Sequence, residues 1–315
     1  MSTYRILTLD GGGIRGIVTV VLLKRLSEEP GLEGWLDSVD LIAGTSTGGL
    51  IALGLGRGLG LDAIEDLYVQ KGKVIFDDSW IDDVMDLGKL IGADYKINGL
   101  RRVVKDVLGK DTTLGDLTTN VLITTFDLDN IDDPSRAGET PRSWKPKLFH
   151  NFPGENSDRD VPAWKVGVYT AAAPTYFPSF EGYVDGGVYA TNPSMCAMAQ
   201  ALDIRYGPPA ALGDISLLSL GTGTSLAYIP GKNLDWGYAQ WAKPLVNLMM
   251  DGIAGIADFQ CNQLLSNRYK RLAPVFPEDT TYAMDDVKRI QDMIDFAKHV
   301  DIRETADWLR NEWMR

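Results

Sequence analysis

The stretch SVDLIAGTSTGGLIALGLG, residues 38–56, decides the fold class of this chain. Its apolar first part predicts a short strand, and the small and apolar residues after the GTSTG turn predict a helix that is buried on nearly every side. The earlier stretch ILTLDGGGIRG, residues 6–16, predicts a second unit of strand, glycine turn and helix. Two such units in succession indicate an α/β fold with a mainly parallel central sheet and helices on its faces.

The rest of the chain continues the alternation of strands and helices. Apolar runs predict further strands near residues 120–128, 183 and 215–220, and residues 61–110 are predicted to be mainly helical. The polar stretch 129–162, which is rich in Pro and Gly, is interpreted as a surface excursion with one short apolar run.

The C-terminal part is predicted to be helical throughout. Residues 236–265 form an apolar helical stretch, whose Trp and Met side chains we expect in the core, with a lipid-facing lid as the alternative. An amphipathic helix follows from about residue 287 and resumes after a bend. We find no repeat and no low-complexity linker, so we expect a single domain over 1–315, with its motifs in about 4–225 and a helical extension over about 230–315.

Composition limits the partners and the compartment. With 31 basic and 43 acidic side chains the net charge is −12, which argues against nucleic acid as a partner and against simple electrostatic attachment to anionic lipid. The two cysteines, Cys196 and Cys261, form neither a disulfide framework nor a metal spacing. No secretory signal pattern is present at the N-terminus, so a cytoplasmic protein is expected, either free or peripheral at membranes.

The glycine loop could hold one of two kinds of anion. Gly11, Gly13 and Gly16 match the G-x-G-x-x-G spacing of a dinucleotide-binding turn. A dinucleotide site also needs an acidic residue at the end of the second strand, and here that strand ends in Thr45, Ser46 and Thr47. We therefore favour the alternative, in which backbone N–H groups of the loop bind the oxyanion of a tetrahedral intermediate.

GTSTG, residues 44–48, matches the G-x-S-x-G nucleophile elbow between a strand and a helix. In that turn the Ser46 hydroxyl projects over the carboxyl edge of the sheet, at a helix N-terminus that favours developing negative charge. If strands one and two are neighbours, the loop Gly11, Gly12, Gly13 lies beside Ser46.

Ser46 needs a base, and the sequence offers two kinds. Only two histidines are present, His150 and His299, and Ser46, Asp185 and His299 would reproduce the chain order of an α/β-hydrolase triad. We favour Asp185 in YVDGGVYATNP acting directly, because a carboxylate held away from water gains proton affinity.

DGGGIRG, GTSTG, AAAPTYFP, DGGVYATNP and LLSLGTG stand in an order that resembles the patatin-like phospholipases. The resemblance covers roughly residues 4–225 and implies a three-layer α/β/α fold. It also implies a Ser46–Asp185 dyad, an oxyanion hole from the loop 11–13, and hydrolysis of glycerolipid acyl esters without a metal or organic cofactor.

Several alternatives remain open at this point. An acyl-enzyme on Ser46 could be resolved by an alcohol or thiol, which would make the protein an acyltransferase, and a non-enzymatic binding protein is the third possibility. Arg15 is expected either to brace the glycine loop or to meet a substrate phosphate. The expected partner is a glycerolipid or other acyl ester presented at a membrane or micelle surface.

Overall fold

A computed structural model describes residues 3–76, 93, 95–131, 141–155, 157–206 and 209–315. The described residues form a seven-stranded sheet with the order β4-β3-β2-β1-β6-β7, in which β5 also pairs with β3. The strands are β1 Tyr4–Leu9, β2 Leu41–Thr45, β3 Asn120–Asp127, β4 Lys145–His150, β5 Tyr183–Asp185, β6 Ile215–Leu220 and β7 Tyr269–Leu272.

Five of the seven strands are parallel neighbours, as the sequence predicts. β1 pairs in parallel with β2 and β6, β2 with β3, and β6 with β7. β4 and β5 are both antiparallel to β3. The carboxyl ends of β1 and β2 therefore lie side by side, since Leu9 is in register with Gly44. This pairing brings the two glycine turns to the same edge of the sheet.

Helices cover both faces of the sheet, which gives the three layers expected of this fold. The helices are α1 Gly16–Ser27, α2 Thr47–Gly56, α3 Leu61–Ile75, α4 Ile97–Leu108, α5 Ala163–Ala171, α6 Gly187–Ala190, α7 Ser194–Ala201, α8 Tyr238–Leu265, α9 Ile290–His299 and α10 Arg303–Trp308. Within the described residues, none of these helices combines the length and the apolarity needed to cross a bilayer.

The two faces bury alternate residues of the strands. Leu7 and Ile42 pack in the larger core with helices α1, α2, α4, α5 and α9, whereas Ile6 and Leu41 pack in a second core with α7 and the end of α8. Because successive strand side chains point to opposite faces, this alternation requires cover on both sides.

The C-terminal helices complete the larger core. The predicted apolar face of α9, Ile290, Met293, Ile294 and Ala297, is buried. Arg25 of α1 donates hydrogen bonds to the carbonyl oxygens of Ala297 at 2.8 Å and Val300 at 2.7 Å. The amphipathic pattern of the tail is therefore confirmed.

The described elements differ from the sequence interpretation at β7 and in the stretch 129–162. β7 was not predicted, and the apolar run in the excursion 129–162 forms the antiparallel edge strand β4. The helical prediction for 61–110 is confirmed in α3 and α4, and its middle part, 77–92 and 94, lies outside the described residues. Residues 132–140 and 156 of the excursion also lie outside them.

The core-packing prediction for α8 was wrong along much of that helix. Its C-terminal part is buried through Ala257, Cys261 and Leu265. None of the Trp and Met side chains that we expect in the core is fully buried: Met249 is exposed, and the others are half-buried, namely Trp236, Trp241 and Met250. Cys261 and Leu265 pack with strand residues of the second core, whereas Met249 and Met250 line a cavity at the carboxyl edge of the strands.

Candidate active site

Ser46 occupies a strained turn between β2 and α2. Its backbone has φ 55° and ψ −124°, a region that residues other than glycine rarely adopt. The flanking glycines allow this turn, because a Cβ on Gly44 would lie 2.3 Å from the carbonyl oxygen of Gly48, and a Cβ on Gly48 would lie 2.1 Å from that of Leu9. The local geometry is therefore that of the elbow which GTSTG predicts.

Asp185 is brought to Ser46 by the register of β3. β2 follows one edge of β3 as far as the pair Thr45 and Thr124. β5 pairs with β3 from the next residue, with Asp185 opposite Thr125. Since β4 occupies the other edge over the same residues, β5 must continue the edge that β2 leaves. The Ser46 hydroxyl lies near enough to the Asp185 carboxyl group to lower its pKa, and both residues line the same cavity.

The surroundings of Asp185 favour a carboxyl group that binds a proton. The residue is buried, and burial raises its pKa to about 7, against the opposing effects of the Ser46 hydroxyl and the Gly187 N–H. That N–H donates to Asp185 Oδ1 at 2.7 Å. The methyl carbon of Met250 lies 4.0 Å from the Cβ position that Gly187 lacks, so α8 helps to exclude water here. A pKa near 7 suits a general base.

The glycine loop after β1 lies beside Ser46. A Cβ on Gly11 would be 3.3 Å from the Ser46 Cβ. The Gly11 N–H donates to the carbonyl oxygen of Thr191 at 3.0 Å. Among the described residues, the Gly12 and Gly13 N–H groups have no hydrogen-bond acceptor. Of the three predicted oxyanion donors, the Gly11 N–H is therefore occupied by a hydrogen bond within the fold. The Gly12 and Gly13 N–H groups remain available to bind an oxyanion.

Arg15 lies half-buried directly after the glycine loop. Its Nε donates to the carbonyl oxygen of Gly12 at 3.3 Å. Burial lowers the pKa of Arg15, and the nearby Asp251 of α8 and Tyr176 act in the opposite direction. The hydrogen bond matches the loop-bracing alternative, while contact with a substrate phosphate stays a prediction.

Threonine hydroxyls connect the elbow to β3 through hydrogen bonds, a feature that the sequence does not predict. Thr170 Oγ1 accepts the Ser46 N–H at 2.8 Å and donates to the Thr124 carbonyl oxygen at 2.7 Å. Thr45 Oγ1 lies 2.7 Å from Thr124 Oγ1. The only available signal was a threonine among the apolar residues of α5 just before AAAP, which alone does not distinguish a structural hydroxyl from a surface one.

A buried ion pair fixes the other end of the glycine loop. Asp10 accepts two hydrogen bonds from the guanidinium of Arg271, one of them at 2.9 Å, and Arg271 also donates to Ser219 Oγ at 2.6 Å. Burial raises the pKa of Asp10, while Arg271 acts to lower it. Arg271 belongs to the unpredicted strand β7, so this pair was also missed.

Neither histidine is hydrogen-bonded to Ser46 or Asp185. His299 is exposed, and its Nδ1 lies 2.7 Å from the Asp295 carbonyl oxygen in its own helix. His150 is buried on β4, on the far side of β3 from β5, with its ring 4.6 Å from that of Tyr206. The structure therefore brings together the serine and the aspartate but not the histidines.

An apolar cavity of about 330 Å³ opens beside Ser46 and Asp185. Its walls come from the glycine loop, from helices α2, α3, α4 and α8, and from the segment after α5. Among the described residues that line it, Asp185 is the only charged one. Such a cavity can hold an extended hydrocarbon chain with one polar end at the serine.

Comparisons with known proteins agree with this geometry. Residues 7–198 match the family model described as Patatin-like phospholipase. A cGAMP-activated phospholipase of Pseudomonas aeruginosa is 30% identical over 274 residues, which cover 85% of this chain and 78% of that protein. Patatin-like protein 2 of Oryza sativa subsp. indica is 28% identical over 313 residues, covering 83% of this chain and 73% of that protein.

Solved structures show weaker similarity. VipD from Legionella pneumophila is 12% identical with a TM-score of 0.39, covering 94% of this chain and 67% of that chain.

Proposed function

Because this chain belongs to the patatin-like phospholipase family, we propose that it is a lipid acyl hydrolase that cleaves carboxylic esters of glycerolipids through Ser46. The close approach of Ser46 to the buried Asp185, set by the register of β3, carries the proposal. A serine in a strained elbow beside an aspartate with a pKa of about 7 is a nucleophile with its base. The Gly12 and Gly13 N–H groups supply the electrostatic part of the site.

In the first half of the reaction, Ser46 Oγ attacks the ester carbonyl carbon and its proton passes to Asp185. The Gly12 and Gly13 N–H groups stabilise the negative charge that develops on the carbonyl oxygen. The carbon–oxygen bond to the glycerol part then breaks, and Asp185 returns its proton to the leaving alkoxide. An acyl group remains bound to Ser46.

In the second half, water replaces the alcohol. Asp185 takes a proton from this water as it attacks the acyl-enzyme, and the same oxyanion donors stabilise the second intermediate. The bond to Ser46 Oγ breaks, Ser46 recovers its proton from Asp185, and the fatty acid leaves. The apolar cavity next to Ser46 supports an acyl group as the part of the substrate that is bound.

A covalent label tests the nucleophile directly. We expect a fluorophosphonate reagent to add once to the wild-type protein, on the peptide that contains Ser46, and not to add to Ser46→Ala. Asp185→Asn should slow both the labelling and the hydrolysis of p-nitrophenyl esters by about a thousandfold or more. His299→Ala serves as the matched control because this histidine is exposed, and it should stay near wild type. Labelling of another residue would contradict the proposal.

Product analysis defines the reaction class. Fatty acid release from phosphatidylcholine should exceed acyl transfer to an added alcohol, and the reverse would make the protein an acyltransferase on the same nucleophile. The similarity to phospholipases named as cGAMP-activated motivates a parallel assay with cGAMP present.

A further inference from the structure

Helix α8 presents two adjacent apolar faces with different surroundings. Val246, Met250 and Ile253 of its inner face line the cavity. On its outer face Leu245, Leu248, Ile256 and Phe259 are each between 42% and 59% exposed. We call these four residues the outer stripe. Their spacing of three, eight and three positions puts them along one side of the helix.

The outer stripe and the cavity are continuous. Met249 lines the cavity and is also 49% exposed, so it lies at the border between the two faces. Any occupant of the outer stripe therefore also lies against this side of the cavity. A protein partner there would obstruct the approach of a substrate, whereas a lipid surface would supply one. Contiguous exposed apolar side chains of this kind mark interaction sites.

The charge near the outer stripe limits the kind of lipid. Residues 244–265 contain no Lys or Arg, and their acidic residues are Asp251 and Asp258. Asp251 interacts with Arg15, and Asp258 accepts a hydrogen bond from Tyr269 at 2.7 Å. Lys243, directly before this stretch, is the one basic residue in the sequence of α8, and the whole chain carries a net charge of −12, so we expect little attraction to an anionic surface.

We propose that the outer stripe docks the protein on the surface of a neutral or zwitterionic lipid aggregate, with the adjoining cavity facing the lipid. The inference rests on the proposed function and names the element that brings the site to its substrate. Because α8 is an amphipathic helix, it lies in the surface, with its outer face among the acyl chains.

Co-sedimentation with phosphatidylcholine vesicles tests the docking. We expect the wild type to bind, and Leu248→Asp and Phe259→Asp to bind at least about tenfold more weakly, because each substitution removes an apolar side chain from the contact. Ile204→Asp is the matched control, since Ile204 is 79% exposed but lies outside α8. It should bind as the wild type does. All variants should hydrolyse a soluble short-chain p-nitrophenyl ester within about twofold of wild type, which shows that they are folded.

The outcomes separate the docking from the proposed function. A wild type that hydrolyses the soluble ester but does not bind vesicles would overturn the docking and leave the function standing. Vesicle binding without any ester hydrolysis would overturn the function. Tighter binding to phosphatidylglycerol than to phosphatidylcholine would overturn the choice of lipid. Light scattering that finds a dimer, lost in Leu248→Asp, would identify a second copy as the occupant and overturn the proposal.

Discussion

Thr45 and Asp185 pair with consecutive residues of one strand, Thr124 and Thr125, although they lie far apart in the sequence. The residue after Thr45 is Ser46, so the register of β3 itself sets the approach of the nucleophile to the carboxylate. A sheet register is more rigid than a loop, and a site built on it is held in place before substrate binds. Single substitutions around Ser46 should therefore change individual contacts of the site without changing the pairing of the strands.

The pH dependence of the reaction follows from the raised pKa of Asp185. Its carboxylate must be ionised to accept the Ser46 proton, and its pKa is about 7. We expect kcat/KM to rise roughly tenfold per pH unit below pH 7 and to level off above it. Met250→Ala should admit water and move the midpoint to lower pH, because burial is the largest cause of the shift. Met249→Ala is the matched control, and an unchanged midpoint in Met250→Ala would contradict this explanation.

The glycine loop tolerates no side chain at Gly12. A Cβ there would lie 2.2 Å from Thr222 Oγ1, so Gly12→Ala should displace the oxyanion donors. We expect kcat to fall by about a hundredfold or more, measured with p-nitrophenyl esters. Gly60→Ala is the control, because no atom lies within 4 Å of its added Cβ. Full activity in Gly12→Ala would exclude this loop as the oxyanion site.

Thr170 is predicted to be a positioning residue. Thr170→Val keeps the shape of the side chain and removes the hydroxyl that accepts the Ser46 N–H and donates to Thr124. Loss of a buried hydrogen bond of this kind is worth about 1–3 kcal/mol, so we expect kcat to fall about tenfold to a hundredfold. KM should hardly change, and Thr170→Ser should recover most of the rate. Equal loss in the Val and Ser variants would point to packing instead.

The Asp10–Arg271 pair is predicted to contribute to stability. Arg271→Met leaves the buried Asp10 carboxylate without its cation, which should lower the free energy of unfolding by about 3–5 kcal/mol in urea titrations. Asp10→Asn combined with Arg271→Met should recover part of that loss, because no charge is then buried alone. A double variant less stable than Arg271→Met would contradict the unpaired buried carboxylate as the cause of the loss.

Local patterns in the sequence predict the parts of the fold that form within short segments. The elbow at Ser46 follows from GTSTG between an apolar strand and an apolar helix, and the buried face of α9 follows from its spacing. Both signals lie within one strand or helix and its turn. The Ser46–Asp185 pair joins two distant motifs: a carboxylate at the end of a short strand suggests Asp185 as the base, and the family resemblance implies the same dyad.

Features that depend on pairing between distant segments could not be predicted. β7 has only four residues, YKRL, two of them charged, and it is a strand because β6 lies beside it. The Gly11 N–H is occupied because Thr191 reaches the loop from another part of the chain. The exposure of α8 likewise depends on which distant segments pack against it.

The Asp10–Arg271 pair also bears on how the chain can be shortened. The family match ends at residue 198, and a fragment cut there would keep Ser46, Asp185 and the glycine loop. It would lack Arg271, so the buried carboxylate of Asp10, at the start of the glycine loop, would have no cationic partner. The smallest piece worth expressing therefore extends past β7, to residue 272 at least, and the motifs alone do not define a self-sufficient unit.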